Sequence, residues 1–164
     1  MSGESNETPR NPREEVGRTD DTGLVKRLLI ENYGYAPDLV YEIRGRYHKV
    51  YAWKPCTLEI KGPDRQGVYF ARIESDGIRL SIEGSFLIGP KATKNVVELD
   101  DERARRYLAG ESVEIGDREL HGWVIVKWRN YFLGSAKAKE GRLINYVPKE
   151  RRFRSPSGDE ALGG

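Results

Sequence analysis

The sequence predicts a mainly β, α+β protein, and three observations carry that expectation. Short runs rich in β-branched and aromatic residues recur along the chain, separated by turn pairs such as Gly45-Arg46, Asp76-Gly77 and Arg129-Asn130. Helical spacing of apolar residues is confined to two stretches, one after Asp21 and one after Asp100. With 164 residues and 37% hydrophobic content, the chain can bury one respectable core or two very small ones, and one body is expected.

Residues 1–20 are rich in Ser, Glu, Asn, Pro and Arg and hold only Met1 and Val16 as larger apolar groups. Such a segment buries too little to offset its ordering entropy and is expected to be disordered. Leu24, Val25, Leu28 and Leu29 then recur at helical spacing, with Asp21 or Thr22 as cap and Gly34 as stop. Residues 39–44 and 47–53 flank Gly45-Arg46 as a hairpin. Residues 67–74 and 78–82 flank Asp76-Gly77, the clearest tight turn, and residues 85–88 lead into Gly89-Pro90, a break in any ladder.

In the second half, Val96 and Val97 suggest a short strand, and ELDDERARRYLAGE is the best helix. Asp100 caps it, Leu99 and Ala104 stand at staple spacing, and Ala104, Tyr107 and Leu108 form its buried stripe; Gly110 ends it. Strands follow at 112–115 and 122–128, then a turn at Arg129-Asn130, a strand at 131–134, a loop through Gly141 and a strand at 142–147. The polar, Gly-rich tail from 155 is expected to be disordered.

Charge is strongly polarised. Residues 127–154 carry nine Lys or Arg against Glu140 and Glu150, a surplus of seven, whereas residues 1–126 hold 19 basic and 22 acidic residues, a net of −3. Clustered cations displace counterions from phosphates, so this asymmetry fits a protein that meets a polyanion. The competing explanation is an edge strand protected by lysines. Lys127, Arg129, Lys137, Lys139, Arg142, Lys149, Arg151 and Arg152 are the candidate phosphate-binding residues. In extended chain Lys137 and Lys139 share a face, as do Lys149 and Arg151. Trp128, Tyr131, Asn145 and Tyr146 lie between them and suit stacking on a base or reading its edge, although alternation also places Val124, Val126 and Trp128 in the core.

Other chemistries are poorly supported. A single cysteine and two histidines are too few for an internal disulfide or a Cys- or His-based metal site, so no metal and no cofactor is expected. Pro55-Cys56 has the Pro-Cys form of cytosine-5 methyltransferases, but no Gly-rich loop for a nucleotide cofactor accompanies it, and Cys56 reads as a small core residue. Residues 134–141, GSAKAKEG, lack phosphate-loop spacing, and His48 and His121 read as structural. No catalytic constellation emerges, so an enzyme is not expected. The polar start lacks the apolar core of a signal peptide and no run of about 18 apolar residues exists, which predicts no membrane association and a cytoplasmic location.

The order RYLAGE, a strand, then GWVIVKWRNYFLGSAKAKEGRLINYVPKERR resembles a PUA domain, a small pseudo-barrel. More closely, it resembles the PUA-like C-terminal region of the Sun family of RNA cytosine-5 methyltransferases, over residues 99–152. The resemblance implies a PUA-like domain at 93–154 preceded by a small α/β subdomain at 21–92. It also implies RNA binding around Gly110 and the closing strands, adding Lys91, Lys94 and Arg106 to the basic set, and no catalytic methyltransferase domain. The expected function is a stand-alone RNA-binding module for structured tRNA or rRNA, accessory to RNA modification or ribosome assembly. The alternative is an assembly factor that docks on an RNA methyltransferase or ribosomal protein.

Overall fold

The computed structural model describes residues 11–55 and 67–152; the Pro55-Cys56 reading therefore falls, at Cys56, outside the described residues. The protein is mainly β, α+β, with two sheets and three α-helices among the described residues.

Helix α1 (Asp21–Tyr33) forms where the apolar spacing predicts it, but its cap is Asp20, whose carboxylate accepts from the Gly23 N–H at 2.9 Å. Its buried residues Leu24, Val25, Leu28 and Leu29 join one core cluster with Tyr41, Val50, Ala52, Ile73 and Ile78. Those partners belong to strands β1 (Val40–Arg44), β2 (Lys49–Trp53), β3 (Val68–Glu74) and β4 (Gly77–Leu80), a four-stranded antiparallel sheet in chain order.

Residues 85–90 are not a simple ladder break. Helix α2 (Ile82–Ile88) occupies the region, capped by Ser81, whose hydroxyl accepts from the Gly84 N–H at 2.9 Å. Its buried face is Gly84, Ser85 and Ile88, mostly small groups, while Phe86 and Leu87 face outward. An inverted pattern of that kind hides from a periodicity search. Residues 11–20, expected to be disordered with the rest of 1–20, are also placed. Pro12–Glu15 form a 3-10 turn, and the Arg13 guanidinium donates to the Ile73 carbonyl at 3.0 Å and to Glu74 at 2.9 Å. Directed hydrogen bonds hold this segment, together with the burial of Pro12 and the packing of Val16 against the first core cluster.

The second sheet is mixed, in the order β5-β7-β8-β9-β6, built from β5 (Val96–Glu98), β6 (Val113–Glu114), β7 (Gly122–Trp128), β8 (Tyr131–Lys139) and β9 (Arg142–Ile144). Strand β5 runs parallel to β7 and the other pairs are antiparallel. Strand β8 continues to Lys139, where the sequence predicts a loop from 135, and β9 stops at Ile144, short of Val147. Lys149–Arg151 form a 3-10 turn after Pro148, so Lys149 and Arg151 do not share the face of a strand. Helix α3 (Asp101–Leu108) has the expected cap, Asp100 accepting from the Arg103 N–H at 2.8 Å.

Strand β7 explains how the sheets combine. Val124 and Val126 join Leu99, Ala104 and Tyr107 in the second cluster, whereas Ile125 joins the first. A strand buried on both faces reads as a continuous apolar run, which is what Trp123 to Val126 is. Gly134, at φ +85°, sits where the β7–β8 register shifts, and the extra residue turns both Phe132 and Ser135 toward the first half of the chain.

Buried hydrogen bonds reinforce the junction. The Tyr33 hydroxyl donates to the Ile78 carbonyl at 2.7 Å, so the Ser135 hydroxyl, 2.9 Å away, donates to Tyr33; Ser135 in turn accepts from the Leu80 N–H at 2.9 Å. Ser135→Ala leaves the Leu80 N–H buried and unpaired and is expected to lower stability by about 1–3 kcal/mol. Chemical denaturation with an unchanged m-value measures it; an unchanged midpoint contradicts the network's role.

Candidate nucleic-acid interface

The expected RNA-binding residues fall into separate groups. Strand β8 carries Tyr131 at one end and Lys139 at the other, eight residue steps or about 26 Å apart at ~3.3 Å per step. The two ends are distinct surfaces.

At the first end, Arg129 takes positive φ in the β7–β8 turn and grips Asp101 of α3 with bonds of 3.1 and 2.7 Å. Trp128 donates its indole N–H to the same carboxylate at 2.7 Å, and Tyr131 stacks on Trp128 with centroids 5.6 Å apart. These bonds hold the Asp101 carboxyl below its ordinary range, with the Arg129 hydrogen bond the largest cause. The Lys127 ammonium lies 5.8 Å from the Phe132 ring.

At the second end, Lys137 and Lys139 point the same way, as expected, because Ala136 and Ala138 are buried on the other face. Lys139 stands opposite Arg142 across the β8–β9 pair, so two cations meet at that hairpin. Among the described residues Lys139, Arg142 and Lys149 are exposed and form no salt bridge. Lys137 instead pairs with Asp76 at 2.5 Å, and the Trp123 indole donates to Asp76 at 2.8 Å. Tyr146 meets Trp123 edge-on at 4.9 Å, and Arg79 lies over the Tyr146 ring at 4.9 Å. Arg151 pairs with Glu83 at 3.0 Å. Tyr69, Arg79, Ser81, Tyr146 and Arg151 line one cleft of about 170 Å³ between the two sheets.

A third group closes the end of α3. The Asn145 amide donates to the carbonyls of Tyr107 at 2.6 Å and Glu111 at 2.8 Å, while its side-chain oxygen accepts from the Val147 N–H at 2.8 Å. Asn145, a candidate base reader in the sequence, makes all three of these hydrogen bonds within the fold. Arg152 packs over Gly110 and donates to the Val147 carbonyl at 3.1 Å; Arg106 pairs with Glu111 at 3.3 Å. Lys91 and Lys94 are exposed on the connection into β5, apart from both ends of β8 in sequence, and Lys91 lies 5.5 Å from the Tyr35 ring.

Sequence reasoning misses Asp76, Arg79 and Trp123 as neighbours of Lys137 and Tyr146. The Asp76-Gly77 turn is visible in the chain, but only the tertiary fold carries it to the second sheet. Burial pushes the Asp76 carboxyl up, yet hydrogen bonds from Lys137 and Trp123 and the Lys137 charge outweigh burial and hold it below the ordinary carboxylate range. Ionised Asp76 therefore stabilises the fold above its unfolded pKa of about 3.9, and this contribution is lost as pH falls through the lower folded value. Asp76→Asn is expected to cost less than about 1 kcal/mol at pH 7, because the pair is partly exposed. The gap between variant and parent should narrow as pH falls below the unfolded value and close only below the lower folded one. Urea midpoints at pH 7 and across the acid range measure this, and a gap that never narrows contradicts it.

No helix among the described residues is long and apolar enough to cross a membrane. Residues 94–153 match the family model described as the methyltransferase RsmF PUA domain, in agreement with the resemblance carried by GWVIVKW and its following strands. Ribosomal RNA small subunit methyltransferase F of Aeromonas salmonicida is 30% identical over 127 residues, covering 76% of this chain and 26% of that protein. The protein of the same name from Aeromonas hydrophila is 29% identical over 109 residues, covering 65% and 23%. That of Vibrio cholerae is 26% identical over 99 residues, covering 60% and 21%. The chain thus spans about a quarter of the length of the curated relatives it matches. Similarity to the first relative extends well beyond the family match, into the first half of the chain. Residues 94–153 are accordingly PUA-like and similar to the PUA domain of the methyltransferase RsmF type.

Proposed function

We propose that this chain is an RNA-binding module for structured RNA, ribosomal RNA before tRNA, acting as an accessory to RNA modification or ribosome assembly in the cytoplasm. The observation that supports this most is the coincidence of the PUA match with exposed cations that form no salt bridge among the described residues, Lys139, Arg142 and Lys149, on the same 60-residue region. Phosphates would be held first by those three, then by Lys137, Arg151 and Arg152, whose charges are partly engaged within the fold. Residues 93–154 form the RNA-binding unit in this reading and residues 21–92 its support; methyl transfer belongs to a separate catalytic unit. The relatives' names place them on small-subunit ribosomal RNA, which makes that RNA the first ligand to try.

The test is competition. A labelled fragment of small-subunit rRNA should be displaced by unlabelled fragment at lower concentration than by tRNA, and by either more readily than by heparin. Displacement by heparin at equal charge concentration contradicts recognition of RNA. Phe86 and Leu87, about half exposed on α2, favour a second reading in which the chain docks on a methyltransferase or ribosomal protein. That reading requires a protein complex that survives nuclease treatment.

A further inference from the structure

The outward face of the first sheet carries a surface that the PUA reading does not use. Residues that alternate with the buried Tyr41, Val50, Ala52, Ile78 and Leu80 point away from α1: Arg44 from β1, Lys49 and Tyr51 from β2, Arg79 from β4. Register places Tyr51 opposite Tyr69 and Lys49 opposite Arg72, so two aromatic and two basic positions are paired across the strands. Arg44 lies 4.3 Å from the Tyr51 ring, Lys49 5.5 Å from the Tyr69 ring, and the Tyr51 and Tyr69 rings are 5.8 Å apart. In the adjoining turn Tyr47, 52% exposed, lies 5.3 Å from both Arg46 and Arg72.

Among the described residues of this face, five cations, Arg44, Arg46, Lys49, Arg72 and Arg79, accompany two carboxylates, Glu42 and Glu74, a surplus of three positive charges. Glu74 is shared among Arg13 at 2.9 Å, Arg79 at 2.9 Å and Arg72 at 3.4 Å, so one carboxylate cannot neutralise its neighbours. The face also runs into the second sheet: Tyr69 and Arg79 line the same cleft as Tyr146, and Lys137 lies 5.6 Å from Trp123 beside it. Rings flanked by cations, on an antiparallel sheet, offer planes to unpaired bases and charges to the intervening phosphates. A duplex, whose bases are already stacked, offers nothing to those rings.

We infer that the outer face of the first sheet, centred on Tyr51 and Tyr69 and flanked by Arg44, Lys49 and Arg72, binds single-stranded RNA by base stacking. This rests on the RNA-binding reading and deepens it. Cations of the β8–β9 hairpin hold the structured part of an RNA, while an adjacent unpaired segment lies across the first sheet. The cleft between Tyr69 and Tyr146 joins the two surfaces.

The test measures the full chain against a labelled 12-nucleotide RNA without self-complementarity, against the corresponding duplex, and against the structured rRNA fragment. Tyr51→Ala with Tyr69→Ala should weaken single-strand binding by at least about 25-fold, fivefold or more per ring, and duplex binding by less than twofold. Tyr51→Phe with Tyr69→Phe keeps both rings and should bind within twofold of the parent. Should the alanine pair fail to fold, Arg46→Gln with Lys49→Gln, at exposed positions, should lower the single-strand salt slope by about 0.7 per cation. Overturning results are single-strand binding within twofold of the parent in the alanine pair, a phenylalanine pair as weak as the alanine pair, or an unchanged slope in the glutamine pair. Retained rRNA binding alongside any of these removes this face alone. A parent that binds no RNA removes both readings.

Discussion

Phe132→Ala is expected to destabilise the whole protein by about 3–5 kcal/mol and to do so in a single transition. Phe132 belongs to β8 of the second sheet, yet its ring is buried in the first core cluster, beside Gly89 and edge-on to Phe86 at 6.4 Å. A Cβ added at Gly89 would come within 2.2 Å of that ring, so no larger residue on the facing segment fits while the ring stays in place. Removing the ring opens a cavity that both halves line. Far-UV signal and tryptophan fluorescence, the latter weighted to Trp123 and Trp128 of β7, should then shift together to lower denaturant. A loss confined to one probe contradicts the shared core.

Replacing Lys139, Arg142 and Lys149 together by glutamate is expected to lower affinity for an rRNA fragment by two or more orders of magnitude at about 0.15 M salt. Each cation withdrawn from a phosphate takes roughly 0.7–0.9 off the slope of log affinity against log salt, which at that ionic strength is about 0.6–0.7 log units apiece before charge repulsion is added. All three side chains are exposed and none forms a salt bridge among the described residues, so the fold should be retained. Lys137→Glu is the poorer probe. It sets a carboxylate against Asp76 and disturbs the junction between the sheets as well as the surface. Thermal unfolding of the triple variant within a few degrees of the parent, with affinity unchanged, contradicts the proposed surface.

What can be read from the chain divides along physical lines. Strand β7 is legible to the residue at 122–128, because a strand buried on both faces announces itself as an uninterrupted apolar run between turn residues. Helix α3 is legible for a different reason: Asp100 and the acidic first turn are local signals that need no tertiary context. Helix α2 is not, since Gly84 and Ser85 make up most of its buried face with Ile88, while Phe86 and Leu87 face outward. Residues 11–15 escape because one arginine reaching Ile73 and Glu74, some sixty positions away, orders them.

The candidate site is legible only as a set of cations. Alternation correctly pairs Lys137 with Lys139, but nothing local separates Arg129, clamped on Asp101, from Lys139, which forms no salt bridge among the described residues. Asn145 reads as a base reader, and nothing local shows that its amide bridges the carbonyls of Tyr107 and Glu111. The basic, aromatic face of the first sheet is hidden by summing charge over residues 1–126, where acidic residues elsewhere mask it. Its signal is present all the same: Lys49, Tyr51 and Trp53 alternate with Val50 and Ala52 through β2.

The central claim is that a cationic PUA-like surface meets RNA phosphates, and the salt dependence of binding tests it most directly. Affinity of the full chain for a small-subunit rRNA fragment, measured from about 50 to 300 mM salt, should fall with a slope of at least about −3. The triple variant at Lys139, Arg142 and Lys149 should flatten that slope by about 2 to 3. A parent slope near zero, or one that the triple variant leaves unchanged, contradicts the claim.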